Sequence, residues 1–368
     1  MSRTLTFKNY RIFAEQQQLT LAPVTVVFGK NNVGKSALLK LPVMVNGILQ
    51  YDGNGELFGQ TYNGLNICKE YRDVVYGKAS RAVELTIAQG DSAISLKFFV
   101  EPTGKVRTHL EEINGKPYDG IPLAATGELP AQLRLDIEYL KAIRDIPRDG
   151  FFMLADSESE TRSGGIFAWR RLAEDVLNNN GNLLKTVSQW YARTFDGWEI
   201  DVDQSRNPIF SLTMRHDKFL TNIIDGGAGI AQSLPVIVSA ATHITSPRLY
   251  IYEEPETHLH PEAHGEMAEF IARQAASSKG LKTFFIETHS INFILRLRTL
   301  VALGKLPLDY LALYFVNFDP STHSSSVNRV TVNPDGTVKG WPADVFQETL
   351  AESLALRRAQ LKKEGDER

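Results

Sequence analysis

Apolar and polar residues alternate with a period of two in Leu5-Thr6-Phe7 and again in Leu19-Thr20-Leu21, after which Pro23 precedes a β-branched run from Val24 to Phe28. These patterns predict strands, and Ala37 to Leu41 predicts the start of a helix. The glycine- and asparagine-rich segment Asn46 to Asn66 is expected to be a surface connection. Ala82 to Ala88 and Ala93 to Val100 alternate in strand fashion and are followed by the turn Pro102-Thr103-Gly104 and a further polar strand, which predicts an antiparallel β-subdomain. From Leu129 the spacing turns helical, over Leu129 to Ile143, Phe167 to Leu177 and Leu183 to Phe195, with the polar loop Asp156 to Gly165 between. Strands are expected at Trp198 to Val202 and Ile209 to Met214, and a helix at Ile230 to Ala241. Strand and helix then alternate: Leu249 to Tyr252, Pro261 to Ser277, Thr283 to Glu287, Ile291 to Leu303 and Leu311 to Val316. That order predicts a parallel sheet with crossover helices. A charged helical tail, Ala343 to Lys363, is expected at the end. Neither an internal repeat nor a sustained heptad is visible, which excludes long coiled-coil arms.

Composition narrows this picture only slightly. The 368 residues are 43% hydrophobic, enough for one large core or two modest ones. A net charge of -3 excludes a general basic field, so any DNA contact has to come from a local patch. Cys68 is the single cysteine, which excludes internal disulfides and cysteine-based zinc sites. MSRTLTF has no apolar core of a secretory signal, and the apolar stretch Leu234 to Ala241 is far shorter than a membrane span, so a cytoplasmic protein without membrane contact is expected.

Chemistry enters at Gly29-Lys30-Asn31-Asn32-Val33-Gly34-Lys35-Ser36, which fits the phosphate-binding pattern G-x-x-x-x-G-K-[ST] between a strand and a helix. Glycines let backbone N–H groups, through Asn31, Asn32 and Ala37, curl around an anion at the positive end of the helix. Lys35 is expected to reach the β- and γ-phosphates of ATP, and Ser36 to hold Mg2+. The apolar strand Leu249 to Tyr252 delivers Glu253 and Glu254. Glu253 is assigned to the metal and Glu254 to deprotonation of the attacking water. A third apolar strand ends in Thr288-His289-Ser290, where His289 is placed to sense the γ-phosphate. Asp225 to Gln232 opens a helix with glycines, a weak anion-binding signal in isolation. Of His258, His260 and His264, the last two lie one helical turn apart and could share a metal, but no third ligand is evident nearby and a loop role is preferred for them.

Together, the order of phosphate loop, helical lobe, glycine segment, acid pair and T-H-S resembles the ABC-type ATPase heads of SMC, RecF and OLD-family proteins, as does the opening Phe7 to Phe13. More narrowly, Tyr71 to Gly77, Tyr139-Leu140 with Arg144 and Pro147, Asp225 to Pro235, Glu254 to Pro261 and Gly336 to Phe346 resemble bacterial AAA-family ATPases of this superfamily that end in a short module of unknown function. The resemblance implies an α/β ABC-ATPase head with a mixed sheet, an antiparallel β-subdomain and an inserted helical lobe. It divides the chain at 1–128, 129–224, 225–335 and 336–368: an N-terminal ATPase lobe, a helical lobe with connecting strands, a C-terminal ATPase lobe and a terminal module. It also implies a homodimer or higher oligomer closed by ATP, with Gly227, Gly229 and Gln232 of one copy reaching the γ-phosphate held by the other across the Pro255 to Pro261 loop. The segment reads DGGAG where relatives carry an aromatic between the glycines. No Q-loop glutamine follows the first helix, and Asp73 is the candidate substitute.

The expected function is therefore an ATP-hydrolysing switch, of the kind found in phage-defence ATPase subunits. No Toprim nuclease module follows the last predicted strand, which implies a separate effector, a nuclease or toxin. A RecF-like DNA-binding ATPase is the first alternative, with Arg296, Arg298, Lys305, Arg357, Arg358, Lys362 and Lys363 as candidate contacts. A nucleotide-sensing scaffold with negligible turnover is the second.

Overall fold

The computed structural model describes residues 3–49, 60–101, 106–117, 133, 136–147, 149–152, 162–206, 209–342 and 345. The chain opens with strands β1 (Arg3–Lys8), β2 (Gln17–Leu21) and β3 (Val24–Phe28), helix α1 (Lys35–Leu49), and the short pair β4 (Thr61–Tyr62) and β5 (Leu65–Asn66). Strands β6 (Val83–Gln89), β7 (Ser92–Val100), β8 (Val106–Ile113), β9 (Lys116–Pro117), β10 (Asp136–Leu140) and β11 (Phe151–Phe152) follow. The middle of the chain holds α2 (Phe167–Asn178), α3 (Asn182–Thr194), β12 (Glu199–Arg206), β13 (Ile209–His216), β14 (Phe219–Asn222) and α4 (Ala228–Ala241). It closes with β15 (Arg248–Glu253), α5 (Pro261–Ser277), β16 (Lys282–Glu287), α6 (Ile291–Ala302), β17 (Leu311–Asp319), β18 (Ser324–Val332) and β19 (Val338–Lys339).

The central sheet runs β10-β15-β16-β3-β17-β18-β19. Its first five strands are parallel, and β18 and β19 return antiparallel. A second sheet, β2-β1-β6-β7-β8-β9, is antiparallel throughout. A third places β11 and β14 against β13, which pairs β12. This small sheet and helices α2 and α3 lie in sequence between β10 and β15, as an insertion into the central sheet.

Alternate side chains of the central strands feed two separate cores. Val24, Val26, Phe28, Tyr250, Tyr252, Phe284 and Ile286 join the core built with α2 to α6. Val27, Leu249, Ile251, Phe285, Ala312 and Tyr314 join the other, where α1 packs with Leu5 and Phe7 of the antiparallel sheet. All five residues of β3 are buried, as a central parallel strand covered on both faces requires. Helix α1 lies between two sheets, which is why it carries apolar residues around its whole circumference, from Leu38 and Leu39 to Val43, Met44, Val45 and Ile48.

One expected helix is a strand. Asp136–Leu140, within the window Leu129 to Ile143, pairs in parallel with Arg248–Tyr252 at the edge of the central sheet. Ile137 and Tyr139 are buried on one face while Asp136 is exposed, so the period that governs is two. The expected connection from Asn46 is also displaced: helix α1 continues to Leu49, and 61–66 form the β4/β5 pair. Residues 50–59 and 129–132, the turn 102–104, most of the loop 156–165, and the tail 346–363 lie outside the described residues. No described helix is long and apolar enough to cross a membrane.

Candidate functional site

The phosphate loop joins β3 to α1 at the centre of the parallel strands, and steric demand explains both of its glycines. Gly29 has φ 151°, and a Cβ there would stand 2.3 Å from the carbonyl oxygen of Val316. Gly34 has φ 100°, and its Cβ would stand 2.6 Å from Ile12 Cγ2 and 3.1 Å from the ring of Phe13. The opening segment Phe7 to Phe13 is thus the floor of the loop: Phe7 meets Tyr10 and Phe13 edge-on, and the Tyr10 hydroxyl donates to the carbonyl of Ala37. Trp341 stacks on Phe28, the last residue of β3, with ring centroids 5.0 Å apart. Asn31 and Asn32 are exposed, and Asn32 is left-handed with φ 62°.

Lys35 is buried at the first position of α1, where its Nζ donates to the carbonyl of Lys30 at 2.7 Å and lies 3.7 Å from Glu287 Oε1. Burial lowers the Lys35 pKa, opposed by Glu287 and Glu254. The Ser36 hydroxyl donates to Glu287 Oε2 at 2.8 Å. Burial pushes the Glu287 carboxyl up to about 7, against the pull of Lys35 and Ser36. Glu287 ends β16, which lies between β3 and β15, so the register alone brings it beside both the loop and the acid pair.

Glu254 follows β15 in a left-handed conformation, φ 40°. Its N–H donates to the Glu287 carbonyl at 2.9 Å, and its carboxylate accepts from the Thr257 hydroxyl at 3.1 Å. His289 Nε2 is 3.7 Å from Glu254 Oε1, and burial together with Lys35 holds the imidazole below its ordinary pKa. Ligand atoms of Glu254, Glu287 and His289 all lie within 4.8 Å of one another. Behind them Glu256 is fully buried, accepting from the Thr288 hydroxyl and, at 3.0 Å, from the His289 N–H. Burial raises its pKa to about 6, and its second oxygen has no hydrogen-bond partner among the described residues.

Three residues assigned from sequence have hydrogen-bond or ion-pair partners within the chain. Glu253 turns toward β10, where its carboxylate accepts from the Tyr139 hydroxyl and the Ala142 N–H, so the acid beside Ser36 is Glu287. Gln232 is buried within its own chain: its amide accepts from the Arg144 N–H at 2.8 Å and donates to the Arg144 carbonyl at 2.5 Å. Asp73 sits in a 3₁₀ turn paired with Lys78 at 2.8 Å. Gly227 is exposed with φ 93° at the start of α4. Gly229 packs on the 255–261 loop, where a Cβ would stand 2.5 Å from the His258 carbonyl oxygen. His264 bonds Ser290 and the Leu259 carbonyl, which ties that loop to α6.

Arg144 is the residue that sequence reasoning left without a role. Its guanidinium, buried and lowered in pKa to about 10 by desolvation, donates to the carbonyls of Gln232 at 3.2 Å, Glu253 at 2.8 Å and Glu254 at 2.9 Å. It joins the loop after β10 to helix α4 and to the backbone of the catalytic candidate. Glu287 was visible as an acid ending an apolar strand, the same signal that marks Glu253 and Glu254.

A family model described as an AAA ATPase domain matches residues 154–294, less than half of the chain, a segment that holds the acid pair and His289 but not the phosphate loop. No curated protein matches the chain. Among solved structures, an Smc head bound to the C-terminal domain of ScpA, derived from Pyrococcus furiosus, is 11% identical with a TM-score of 0.53, over 90% of this chain and 97% of that one. An SmcHead bound to the C-winged helix domain of ScpA is 12% identical with a TM-score of 0.52 over the same shares. An SMC head domain from Thermotoga maritima is 13% identical with a TM-score of 0.47, over 90% of this chain and 99% of that one. The first two establish the fold: the chain is folded as an SMC-type ATPase head. The family match supports nucleotide binding and ATPase activity.

Proposed function

We propose that this protein is an ATP-binding and ATP-hydrolysing switch of ABC type that pairs with a second copy around ATP and controls a separate effector in bacterial antiviral defence. The observation that carries it is convergence: Lys35 and Ser36 at the start of α1, Glu254 just after β15, and Glu287 and His289 at and just after the end of β16 meet beside one glycine loop. The donor set fits MgATP. Backbone N–H groups from Gly29 to Ala37 and the first turn of α1 suit the phosphates, Lys35 adds a cation, and the Ser36 hydroxyl with a neighbouring carboxylate suits Mg2+. When bound, Mg2+ neutralises charge on the β- and γ-phosphates.

Glu254 is the base in this reading, positioned to take a proton from a water as that water attacks the γ-phosphorus. His289, held neutral by its surroundings, offers a hydrogen bond to the same end of the nucleotide. Gly227 and Gly229, at the N-terminus of α4, support a site closed by a second copy. A separate effector is supported by the two solved heads of this fold that are bound to domains of another protein, ScpA. The defence role follows the sequence resemblance.

Lys35→Ala is expected to abolish ATP binding, and wild-type affinity in that variant would sink the proposal. Glu254→Gln should slow hydrolysis about 100- to 10,000-fold while binding persists. Mixing Lys35→Ala with Gly229→Asp protein should restore about one working site per mixed dimer if the site is shared. Failure of rescue at every ratio, with Gly229→Asp protein that is folded and binds ATP, would place the whole site in one chain.

A further inference from the structure

We infer, on the ATPase reading above and the part it gives His289, that Glu256 is a positioning residue for hydrolysis: its carboxylate fixes the main chain of the loop 288–290 and so sets the His289 ring beside Glu254. Strands β15 and β16 run parallel, and the Glu254 N–H on the Glu287 carbonyl closes their ends. Beyond that bond the chain passes into the loops 255–261 and 288–290, and side chains join the two. One oxygen of Glu256, Oε1, accepts from the Thr288 hydroxyl and, at 3.0 Å, from the His289 N–H. The Thr288 hydroxyl in turn accepts from the Ser290 N–H at 2.9 Å, and the Thr288 N–H donates to the Val27 carbonyl at 3.1 Å. Thr288 and Glu256 are both buried, which strengthens these bonds and makes a missing partner costly.

With its main chain fixed on Glu256, His289 keeps only the two torsions of its side chain, and its Nε2 rests 3.7 Å from Glu254 Oε1. The following residue is held as well. A carbonyl can only accept, so in the neutral His264 ring Nε2 carries the proton to the Leu259 carbonyl at 3.0 Å, and Nδ1 accepts from the Ser290 hydroxyl at 2.7 Å. Ser290 Oγ also accepts from the Phe293 N–H at 3.1 Å and thereby caps α6. His289 is thus gripped from the 255–261 side by Glu256 at its own N–H and by His264 at the next residue. The hydrogen bonds of the Glu256 carboxylate go to Thr288 and His289, whereas Lys35 and Ser36 bond the Lys30 carbonyl and Glu287. A group that serves the reacting atoms can lose about 100-fold in rate when displaced by about 1 Å. Loss of the Glu256 acceptor should therefore appear in turnover and leave nucleotide binding in place.

A double-mutant cycle on steady-state hydrolysis, with ATP affinity measured by calorimetry, tests this role. Glu256→Met, similar in volume but without an acceptor, should lower kcat about 10- to 100-fold with ATP affinity within about threefold of wild type. Glu256→Gln keeps the acceptor oxygen and should bring kcat back to within about threefold of wild type. In a His289→Ala background, itself slower than wild type, Glu256→Met should cost no more than about twofold further, because it acts through that ring. Equal losses in the two backgrounds, or a Glu256→Gln protein as slow as Glu256→Met, overturn the role. If Glu256→Met does not fold, Thr288→Val, which removes one of the two donors, makes the same comparison: its loss of kcat should vanish in the His289→Ala background, and a loss that persists there overturns the role. His289→Ala protein with wild-type kcat would overturn the part given to His289 and this role with it, whereas wild-type protein that binds ATP without hydrolysing it would overturn the ATPase reading itself.

Discussion

Replacing Arg144 should separate the assembly of the base from the binding of nucleotide. Its guanidinium supplies donors to three main-chain carbonyls, and two of these belong to Glu253 and Glu254. Glu254 has φ 40°, a conformation that costs a non-glycine residue on the order of 1–3 kcal/mol unless its surroundings hold it. Its backbone is restrained by its own N–H on the Glu287 carbonyl, and by the Thr257 N–H and Arg144 on the Glu254 carbonyl. Charge-assisted hydrogen bonds contribute roughly 1.5–3 kcal/mol each and are not additive, so Arg144→Met should cost about 3–5 kcal/mol of stability. Arg144→Lys keeps the charge but cannot span three acceptors with a planar fork, and should lose about half of that. Urea denaturation measures the stability, and steady-state hydrolysis beside nucleotide titration measures the rest. In folded Arg144→Lys protein, kcat should fall at least about tenfold, with ATP affinity within about threefold of wild type, because no Arg144 contact reaches Lys35 or Ser36. A folded variant with unchanged kcat, or with affinity and rate falling together, would refute this role.

Gly29→Ala places a Cβ against the Val316 carbonyl and should cost on the order of 1–3 kcal/mol with at least tenfold weaker ATP binding; calorimetry and a thermal melt check both. Glu256 has a folded pKa of about 6 against an ordinary 4.5, so the folded state holds its proton longer than the unfolded state. Stability is therefore favoured below pH 4.5 and falls by about 2 kcal/mol as pH rises through 6; Glu256→Gln should flatten that part of the curve and raise stability at pH 7, as read by denaturation across pH. Gln232→Leu leaves the Arg144 N–H and carbonyl without their buried partners and should destabilise by about 1–3 kcal/mol; a loss of ATP-driven pairing without loss of stability would return Gln232 to the role expected from sequence.

The parts most legible in the sequence were those where one physical demand shapes several adjacent residues. The phosphate loop needs its glycines for space and its lysine for charge, and the buried strands ending in Glu253 and Glu287 need unbroken apolar runs. Strand β10 was hidden because Asp136–Leu140 is short and lies in a window whose leucines and isoleucines also match a helix; only pairing with β15 selects the period of two. The partner of Gln232 was hidden for a different reason. A glutamine in a glycine-rich helix start looks the same whether its amide faces another molecule or its own chain, and the deciding partner, Arg144, lies 88 residues away. Which acid contacts Ser36 was equally beyond reach, since Glu253 and Glu287 both end apolar strands and only strand order says which is next to β3.

Helix α1 is buried on both sides, between the central sheet and the antiparallel sheet. Most surface helices that begin at an anion site can rock toward solvent when the anion arrives. This one has no solvent side along most of its length, so a push at Lys35 is shared by two sheets at once. Occupancy of the phosphate loop is in this sense a load on a clamped beam, and the antiparallel sheet, which contributes none of Lys35, Ser36, Glu254, Glu287 or His289, bears part of it.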